Sequence, residues 1–263
     1  MTIAKRMDPQ PAGPYFSKVI EKGLRILKLF TPETPSLSLK EITRETRINP
    51  TSVFRFVETL IQLGYLKKDP KTKLIRLGTT ALTLSNQVIR SFDILQIVKP
   101  HIDRLFEKLN VTVDSAVVED SRLVLLYRRD AQDTLAFRLP VSSPSMHCSA
   151  LGKAYLSALP EAALRRVLDG LTFARRTPHS LTTRAAVLAE LRRTRERGYS
   201  LNNEEFILGL ISVGAPLVNL DGVVIGAASC DVSTMQYSLE EAERRFAPAV
   251  LELAKDIQPE LPL

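Results

Sequence analysis

Three side chains that can hydrogen-bond to base edges lie close together in the chain, at Thr51, Ser52 and Arg55. The guanidinium of an arginine such as Arg55 is planar and can donate a bidentate pair to guanine. Lysines follow at positions 67, 68, 71 and 73, and a lysine ammonium binds phosphate as a point charge. This combination predicts contact with a DNA groove, in which base edges are read and phosphates position the protein.

Two short helices and a turn would present these residues. The apolar pattern predicts a first helix over Leu39–Thr46, with a charged opposite face. A turn follows at 47–49, where Ile48 would be the apolar contact between the helices. Asn49 before Pro50 is a strong helix start, because Asn can accept a backbone N–H and proline tolerates the first helical position.

The second helix is expected over 50–63, with one buried and one outward face. The buried stripe would consist of Val53, Phe56, Val57, Leu60 and Leu63. The candidate DNA contacts on this helix are Pro50, Thr51, Ser52, Phe54, Arg55 and Thr59. Phe54 could contact a thymine methyl or close the edge of the domain core.

A basic hairpin is expected next. Gly64 would end the helix, and strands at 65–68 and 73–76 would pair across a turn at 69–72. The elements together predict a winged helix-turn-helix, and its wing would bring Lys67, Lys68, Lys71 and Lys73 to phosphates. Arg25, in a helix expected from Ser17 to residue 30, is a further candidate DNA contact. The alternative is that these polar residues only form a solvated surface.

Composition agrees with a polyanionic partner. The 263 residues carry 36 Lys and Arg against 29 Asp and Glu, a net charge of +7. The two cysteines, Cys148 and Cys230, are too few for a disulfide framework and favour a reducing compartment. No apolar stretch is long enough for a membrane span and no signal-peptide core is present. We expect a cytoplasmic protein with no membrane contact.

Catalytic motifs are absent from the sequence. It has no Gly-rich phosphate loop and no Gly-x-Ser-x-Gly elbow, and its three histidines lack metal-ligand spacing. We therefore expect no enzyme activity, no catalytic residue, no metal and no cofactor. The neighbouring Glu204 and Glu205 would face opposite ways on an extended segment, so we expect one pocket-edge residue and one structural acceptor.

The domain organisation follows from turn residues and periodicity. We expect an extended arm at 1–16, the winged helix-turn-helix at 17–78, a linker helix at 79–98 and a second domain at 99–263. The first helix would bury Ile20, Leu24, Leu27 and Phe30, and the linker carries Ala81, Leu84, Val88, Phe92 and Leu95 at nearly heptad spacing. This stripe favours a homodimer, although the linker could instead pack on its own chain.

The second domain mixes strands and helices. Strands are expected at 111–119, 123–129, 134–139, 199–203, 210–218 and 223–232. Helices are expected at 149–159, 161–169, 184–197 and 239–257. This order indicates an α+β domain with a central antiparallel sheet.

Five motifs in order resemble those of the IclR family of bacterial transcriptional regulators. They lie at 21–27, 50–66, 146–154, 197–209 and 215–216, so the resemblance covers nearly the whole chain. It implies a winged helix, a linker helix and a GAF-like domain that binds a small organic-acid or aromatic effector. It also implies dimers, often paired into tetramers, on palindromic operators in double-stranded DNA. Within the family, the run at 146–153 is similar to regulators of aromatic-acid catabolism, the β-ketoadipate group.

A binding place for a carboxylate is expected where a loop containing Met146 and Cys148 enters a helix. The first N–H groups of that helix, at Ser149, Ala150 and Leu151, would be free to donate to an anion. Ser149 could equally be a simple helix cap.

The resemblance also implies the residues that line the effector site. They correspond to Asn202, Ser212, Ser229 and Asp231, with Leu139, Met146 and Leu210 as apolar walls and Cys148 beside them. Asp231 departs from the small hydroxyl residue common in the family at that place. Its carboxylate puts a dicarboxylate effector in doubt and favours a hydroxyl or an amine. Alternatively, Asp231 caps the turn at 233–235.

Two functions of different classes follow. The first is a transcription regulator whose operator binding responds to an effector. The second is a constitutive DNA-binding protein whose C-terminal domain only assembles oligomers. Polar residues gathered inside the sheet favour the first, because a domain that only oligomerises has no use for them there.

Overall fold

The computed structural model describes residues 15–31, 34–91, 93–131 and 142–262. The chain divides into two units, with the boundary between Ser91 and Phe92. Each unit has its own apolar core. Within the described residues, no helix combines the length and the hydropathy that a membrane crossing requires.

The N-terminal unit is the expected winged helix-turn-helix. Its elements are α1 (Lys18–Leu27), α2 (Leu39–Thr46), α3 (Pro50–Gln62), β1 (Leu66–Lys68), β2 (Ile75–Leu77) and α4 (Thr79–Ser91). Its core contains Ile26, Phe30, Leu37, Ile42, Ile48, Val53, Val57, Leu66 and Ile75. Ile48 is buried here, as expected for the apolar contact in the turn between α2 and α3.

Side-chain caps explain why the helices of this unit begin where they do. Ser17 caps α1, and Ser38 forms a reciprocal capping box with Glu41 at the start of α2. The side chain of Asn49 accepts the N–H of Ser52 at 2.8 Å, with Pro50 at the first helical position. These bonds satisfy donors that a helix start leaves free.

The wing differs slightly from its expected register. Leu66 pairs with Leu77 and Lys68 with Ile75, so the second strand begins two residues later than predicted. Lys73 has a φ of 60°, and its N–H donates to the Asp69 carbonyl at 3.0 Å, which makes it part of the turn. Leu37 exchanges two backbone hydrogen bonds with Ile75 and fixes the wing to the segment before α2.

Two expectations about the buried faces are wrong. Ile20 and Leu24 are 64% and 52% exposed, because α1 packs through Ile26 instead. Leu63 is 58% exposed. It is the residue at which α3 ends, before the chain reverses through Gly64 at a φ of 78°.

The C-terminal unit is built on a six-stranded antiparallel sheet in the order β5-β4-β3-β8-β7-β6. Its strands are β3 (Thr112–Glu119), β4 (Arg122–Arg129), β5 (Ser142–Ser143), β6 (Ser200–Asn203), β7 (Leu210–Val218) and β8 (Val224–Ser233). Its helices are α5 (Asp93–Leu109), α6 (Ala150–Ala158), α7 (Glu161–Gly170), α8 (Arg184–Arg197) and α9 (Leu239–Ile257). A 3₁₀ turn at Met146–Cys148 precedes α6.

Helices cover both faces of this sheet. On one face, residues of α5 and α9 such as Ile102 and Phe246 pack against Val213 and Cys230. On the other, residues of α6 to α8 form a second core. Because side chains alternate along a strand, the residues of β7 and β8 next to Val213 and Cys230 face α6.

The segment between the two units is helical in two pieces. Leu95 and Val98 in α5 are buried in the core of the C-terminal unit, so the domain boundary expected between 98 and 99 falls inside α5. Phe92 and the strand expected at 134–139 lie outside the described residues. Leu84 of the heptad stripe is 49% exposed.

Candidate functional site

The polar face of α3 is open to solvent in the N-terminal unit. Thr51, Arg55 and Thr59 are exposed and Ser52 is half-buried. Phe54 is 50% exposed, which leaves its ring accessible at the surface. Pro50, at the helix start, is exposed as well. The residues predicted to contact DNA on this helix therefore share one accessible surface.

The wing carries its lysines beside a well-ordered turn. Lys67, Lys71 and Lys73 are exposed and Lys68 is half-buried. The Asp69 carboxylate accepts the N–H groups of Thr72 and Lys71, each at 2.8 Å, and these bonds lower its pKa. The turn geometry is thereby fixed while the ammonium groups stay accessible.

Arg25 has a structural role that the sequence did not indicate. Its Nη2 donates to the Thr46 carbonyl at 2.7 Å, and its Nη1 lies 3.5 Å from Glu21 Oε1. The guanidinium thus joins α1 to the end of α2. A contact of Arg25 with DNA would have to use the remaining N–H groups.

A small cavity lies on the α6 side of the sheet in the C-terminal unit. It is lined by Ser149, Ala150, Leu151, Asn202, Phe206, Leu210, Ser212, Ser229 and Asp231. Eight of these nine residues are ones the sequence assigned to effector binding, and Phe206 is the one that sequence reasoning missed. The cavity is small, with a volume of about 10 Å³.

Two predicted effector residues of the described part of the chain do not line this cavity. Met146 and Cys148 are fully buried, and the Cys148 thiol donates to the Ser145 carbonyl at 3.7 Å. Their side chains support the turn before α6, so their assignment to the cavity wall is wrong. Leu139 lies outside the described residues.

A second cavity is predominantly apolar. It is lined by Ala116, Leu123, Leu125, Ser143, Ser149, Leu151 and Phe206. Ser149, Leu151 and Phe206 line both cavities. Phe206 therefore lies at the wall that the two spaces share.

Strand register brings the polar lining residues together. Asn202 lies opposite Ser212, which lies opposite Asp231 on the next strand. Ser229 precedes Asp231 by two residues, so both face the same side of the sheet. The start of α6 lies directly on these strands, because Ser200 Oγ donates to the Ala150 carbonyl at 2.7 Å.

Ser149 is the cap of α6, as one of the two sequence interpretations held. Its hydroxyl accepts the Gly152 N–H at 3.1 Å. The N–H groups of Ala150 and Leu151 belong to the first turn, where a helix has no internal acceptors. Donors and helix dipole together favour a carboxylate at this point.

Hydrogen bonds order the polar wall. Asn202 Nδ2 donates to Ser212 Oγ at 3.3 Å, while its Oδ1 accepts the N–H groups of Glu205 and Phe206. Ser229 Oγ donates to Asp231 Oδ1 at 3.0 Å. The wall is therefore connected through Asn202 to the segment that carries Phe206.

The alternative role for Asp231, as the cap of the turn at 233–235, is wrong. The Met235 N–H donates to Ser233 Oγ at 3.2 Å, so Ser233 caps that turn. Asp231 is buried and points to the same face of the sheet as Ser229.

A buried ion pair holds the segment next to the cavity. Lys153 of α6 is fully buried, and its Nζ lies 2.5 Å from Glu205 Oε1. Burial raises the pKa of Glu205, and the Lys153 charge acts in the opposite direction. Glu204 accepts the Gly209 N–H at 2.7 Å. Neither glutamate lines the cavity, so the expectation of one pocket-edge carboxylate is wrong.

Family comparisons cover both units. The model described as "Bacterial transcriptional regulator IclR C-terminal" matches residues 86–259, and that described as "IclR helix-turn-helix domain" matches residues 19–70. The chain belongs to the IclR family. Its members are transcriptional regulators with a DNA-binding helix-turn-helix, so the family resemblance expected from the sequence is confirmed.

Individual IclR relatives can be aligned with this chain over most of their lengths. The chain is 25% identical to the Pca regulon regulatory protein of Pseudomonas putida, covering 97% of this chain and 87% of the relative. A transcriptional regulator from Rhodococcus sp. RHA1 has the same fold, with a TM-score of 0.80 at 22% identity and coverage of 92% and 97%. An IclR homologue from Microbacterium hydrocarbonoxydans, crystallised with 4-hydroxybenzoate, matches with a TM-score of 0.78 at 20% identity. The match covers 91% of this chain and 97% of the homologue.

Proposed function

We propose that this IclR-family regulator binds double-stranded operator DNA through α3 and the wing, and that a small organic acid in the C-terminal cavity controls this binding. The observation that carries the proposal is the cavity itself. Polar side chains from β6, β7 and β8 converge there on the first turn of α6. An assembly surface alone would not require polar groups inside a sheet domain, because burying them costs free energy.

The effector's carboxylate would lie at the N–H groups of Ala150 and Leu151. The apolar part would rest against Leu151, Phe206 and Leu210, which line the same space. A relative of the same fold binds 4-hydroxybenzoate and another is named for the pca regulon, which supports an aromatic acid. Displacement of the Phe206 ring would join the two cavities and make room for such a ring.

We propose that the regulator acts as a homodimer or a tetramer. A single winged helix contacts few base pairs, so specificity for an operator requires two or more copies on repeated half-sites. The effector would change the relative affinity of the oligomer's arrangements for DNA, since only such a difference can shift the equilibrium.

Thermal denaturation of the full-length protein with small aromatic and aliphatic carboxylic acids tests effector binding. An acid present at 100 times its Kd should stabilise the folded protein by about 2.7 kcal/mol. Ser212→Ala should weaken this stabilisation, whereas Ser157→Ala, a buried hydroxyl of α6 outside the cavity lining, should leave it unchanged. If no acid in either series stabilised the protein, the proposal of effector control would be wrong.

A further inference from the structure

A second buried acidic side chain lies beside Asp231 on the neighbouring strand. Asp114 of β3 is fully buried. In the antiparallel pairing of β3 with β8, Asp114 lies opposite Ser229 and Thr112 lies opposite Asp231. The two aspartates are therefore diagonal neighbours on the sheet face that α6 covers.

The charge of Arg128 acts on both aspartates of this pair. Arg128 Nη1 lies 3.2 Å from Asp114 Oδ2, and the same guanidinium contacts the exposed Asp130. Asp114 Oδ1 has no hydrogen-bond partner within the described residues. Burial, followed by the charge of Asp231, raises the pKa of Asp114 well above its usual range. The protonated form of Asp114 is therefore favoured behind the cavity wall, and Asp231 is the carboxylate of the pair that lines the cavity.

The hydrogen bonds already made leave mainly acceptors at this end. The Ser229 hydroxyl donates its hydrogen bond to Asp231 Oδ1. Asn202 Oδ1 already accepts two backbone N–H groups. Ser212 accepts from Asn202 and keeps its own proton, so it adds a donor. A ligand carboxylate would meet the negative charge of Asp231 here, where little water is present to screen it.

The two ends of the cavity differ in polarity. Gly214 lies under the start of α6, because a Cβ on Gly214 would be 3.1 Å from the Ala150 carbonyl. Ser229, which pairs with Gly214, lies between this end and Asp231. Asp231 is two residues further along β8, which corresponds to about 7 Å. The N–H donors of α6 are thus at one end, and the Asp231 carboxylate, backed by Asp114, is at the other.

We infer that the cavity selects a carboxylic acid with an amine or hydroxyl at its far end, and that Asp231, backed by Asp114, is the specificity-determining residue. This inference rests on the proposed effector function. The ligand's carboxylate meets the α6 N–H groups, and its amine or hydroxyl donates to Asp231. Dicarboxylates of the same length are rejected.

Two matched ligand series test the inference by calorimetric titration of the full-length protein. The aromatic series is 4-hydroxybenzoate, 4-(aminomethyl)benzoate, benzoate and terephthalate. The aliphatic series is 4-hydroxybutyrate, 4-aminobutyrate, butyrate and succinate. In at least one series, the donor-bearing acids should bind about tenfold more tightly than the unsubstituted acid, and the dicarboxylate should bind most weakly.

Asp231→Asn provides the matched change, because the amide keeps the shape and removes the charge. The variant should lose most of the preference for donors and gain affinity for the dicarboxylate. Asp130→Asn alters the other, exposed contact of Arg128 and should preserve the ranking. Dicarboxylates binding as tightly as the hydroxy or amino acids to the unaltered protein would overturn this inference while leaving effector binding intact. Failure of every acid to bind would contradict the proposed function as well.

Discussion

Arg55 lies on the accessible side of α3, six residues after Asn49, the cap that fixes where the helix begins. Its position explains why the sequence alone could identify it. A cap, a proline at the first helical position and an apolar stripe together determine which side chains face outward. The same reasoning did not indicate the contact of Arg25 with the Thr46 carbonyl, because that bond joins residues far apart in the chain.

Arg55→Ala should remove base discrimination worth about 1 to 3 kcal/mol. The physical reason is the loss of a bidentate donor pair at a base edge. Competition binding to operator and random duplex DNA measures this loss of discrimination. Lys71→Ala is the matched control, since losing a phosphate contact should weaken binding to both duplexes equally. An equal loss on both duplexes for Arg55→Ala would make Arg55 a phosphate contact instead.

The two thiols should be unreactive in the folded protein. Burial raises the pKa of Cys148 to about 12, and it raises the pKa of the fully buried Cys230 as well. At pH 8 both groups therefore remain protonated, and the thiolate is the reactive form. Titration with a disulfide reagent should detect neither thiol in the native protein and both after unfolding. Rapid labelling of either in the native state would contradict this placement.

At the scale of elements, the bounds of helices and strands could be predicted best where residues that start or end an element, such as helix caps, are present in the sequence. α2, α8, α9 and β7 have the expected bounds, and each of these helices begins at a Ser or Thr cap. The polar residues of the cavity were found through the family resemblance. Phe206 was missed because it lies between strands on a segment without periodicity. Asp114 was missed because its role depends on the register between β3 and β8.

Removing one partner of the Lys153–Glu205 pair should strongly destabilise the region around the cavity. Lys153→Met would leave the Glu205 carboxylate buried without its cation, and breaking a buried pair in this way costs about 3 to 5 kcal/mol. Chemical denaturation measures the loss. Adding Glu205→Gln should recover part of it, because the uncompensated charge is removed.

The control for this pair is on the surface of the same unit. Lys108 lies 3.6 Å from Glu252 with both side chains largely exposed, so Lys108→Met should cost less than about 1 kcal/mol. Equal losses for Lys153→Met and Lys108→Met would mean that the buried pair is not a specific support of the cavity.

At the scale of the whole molecule, the chain forms two units with separate cores, and the two candidate sites lie in different units. The N-terminal unit presents an exposed polar helix face and a basic wing, and the C-terminal unit encloses a polar cavity. The sequence predicted this division through composition and motif order. It misplaced the boundary, because Leu95 and Val98 are apolar residues whose partners on the sheet are distant in the chain.

The central claim is that an acid in the cavity alters DNA binding by α3 and the wing. Fluorescence anisotropy of the full-length protein on its tightest-binding genomic duplex tests it, in the presence and absence of a saturating acid that stabilises the protein. Binding should be salt-sensitive, and its Kd should change by about 5-fold or more when the acid is added. An unchanged Kd at saturation, or no salt-sensitive duplex binding at all, would contradict it.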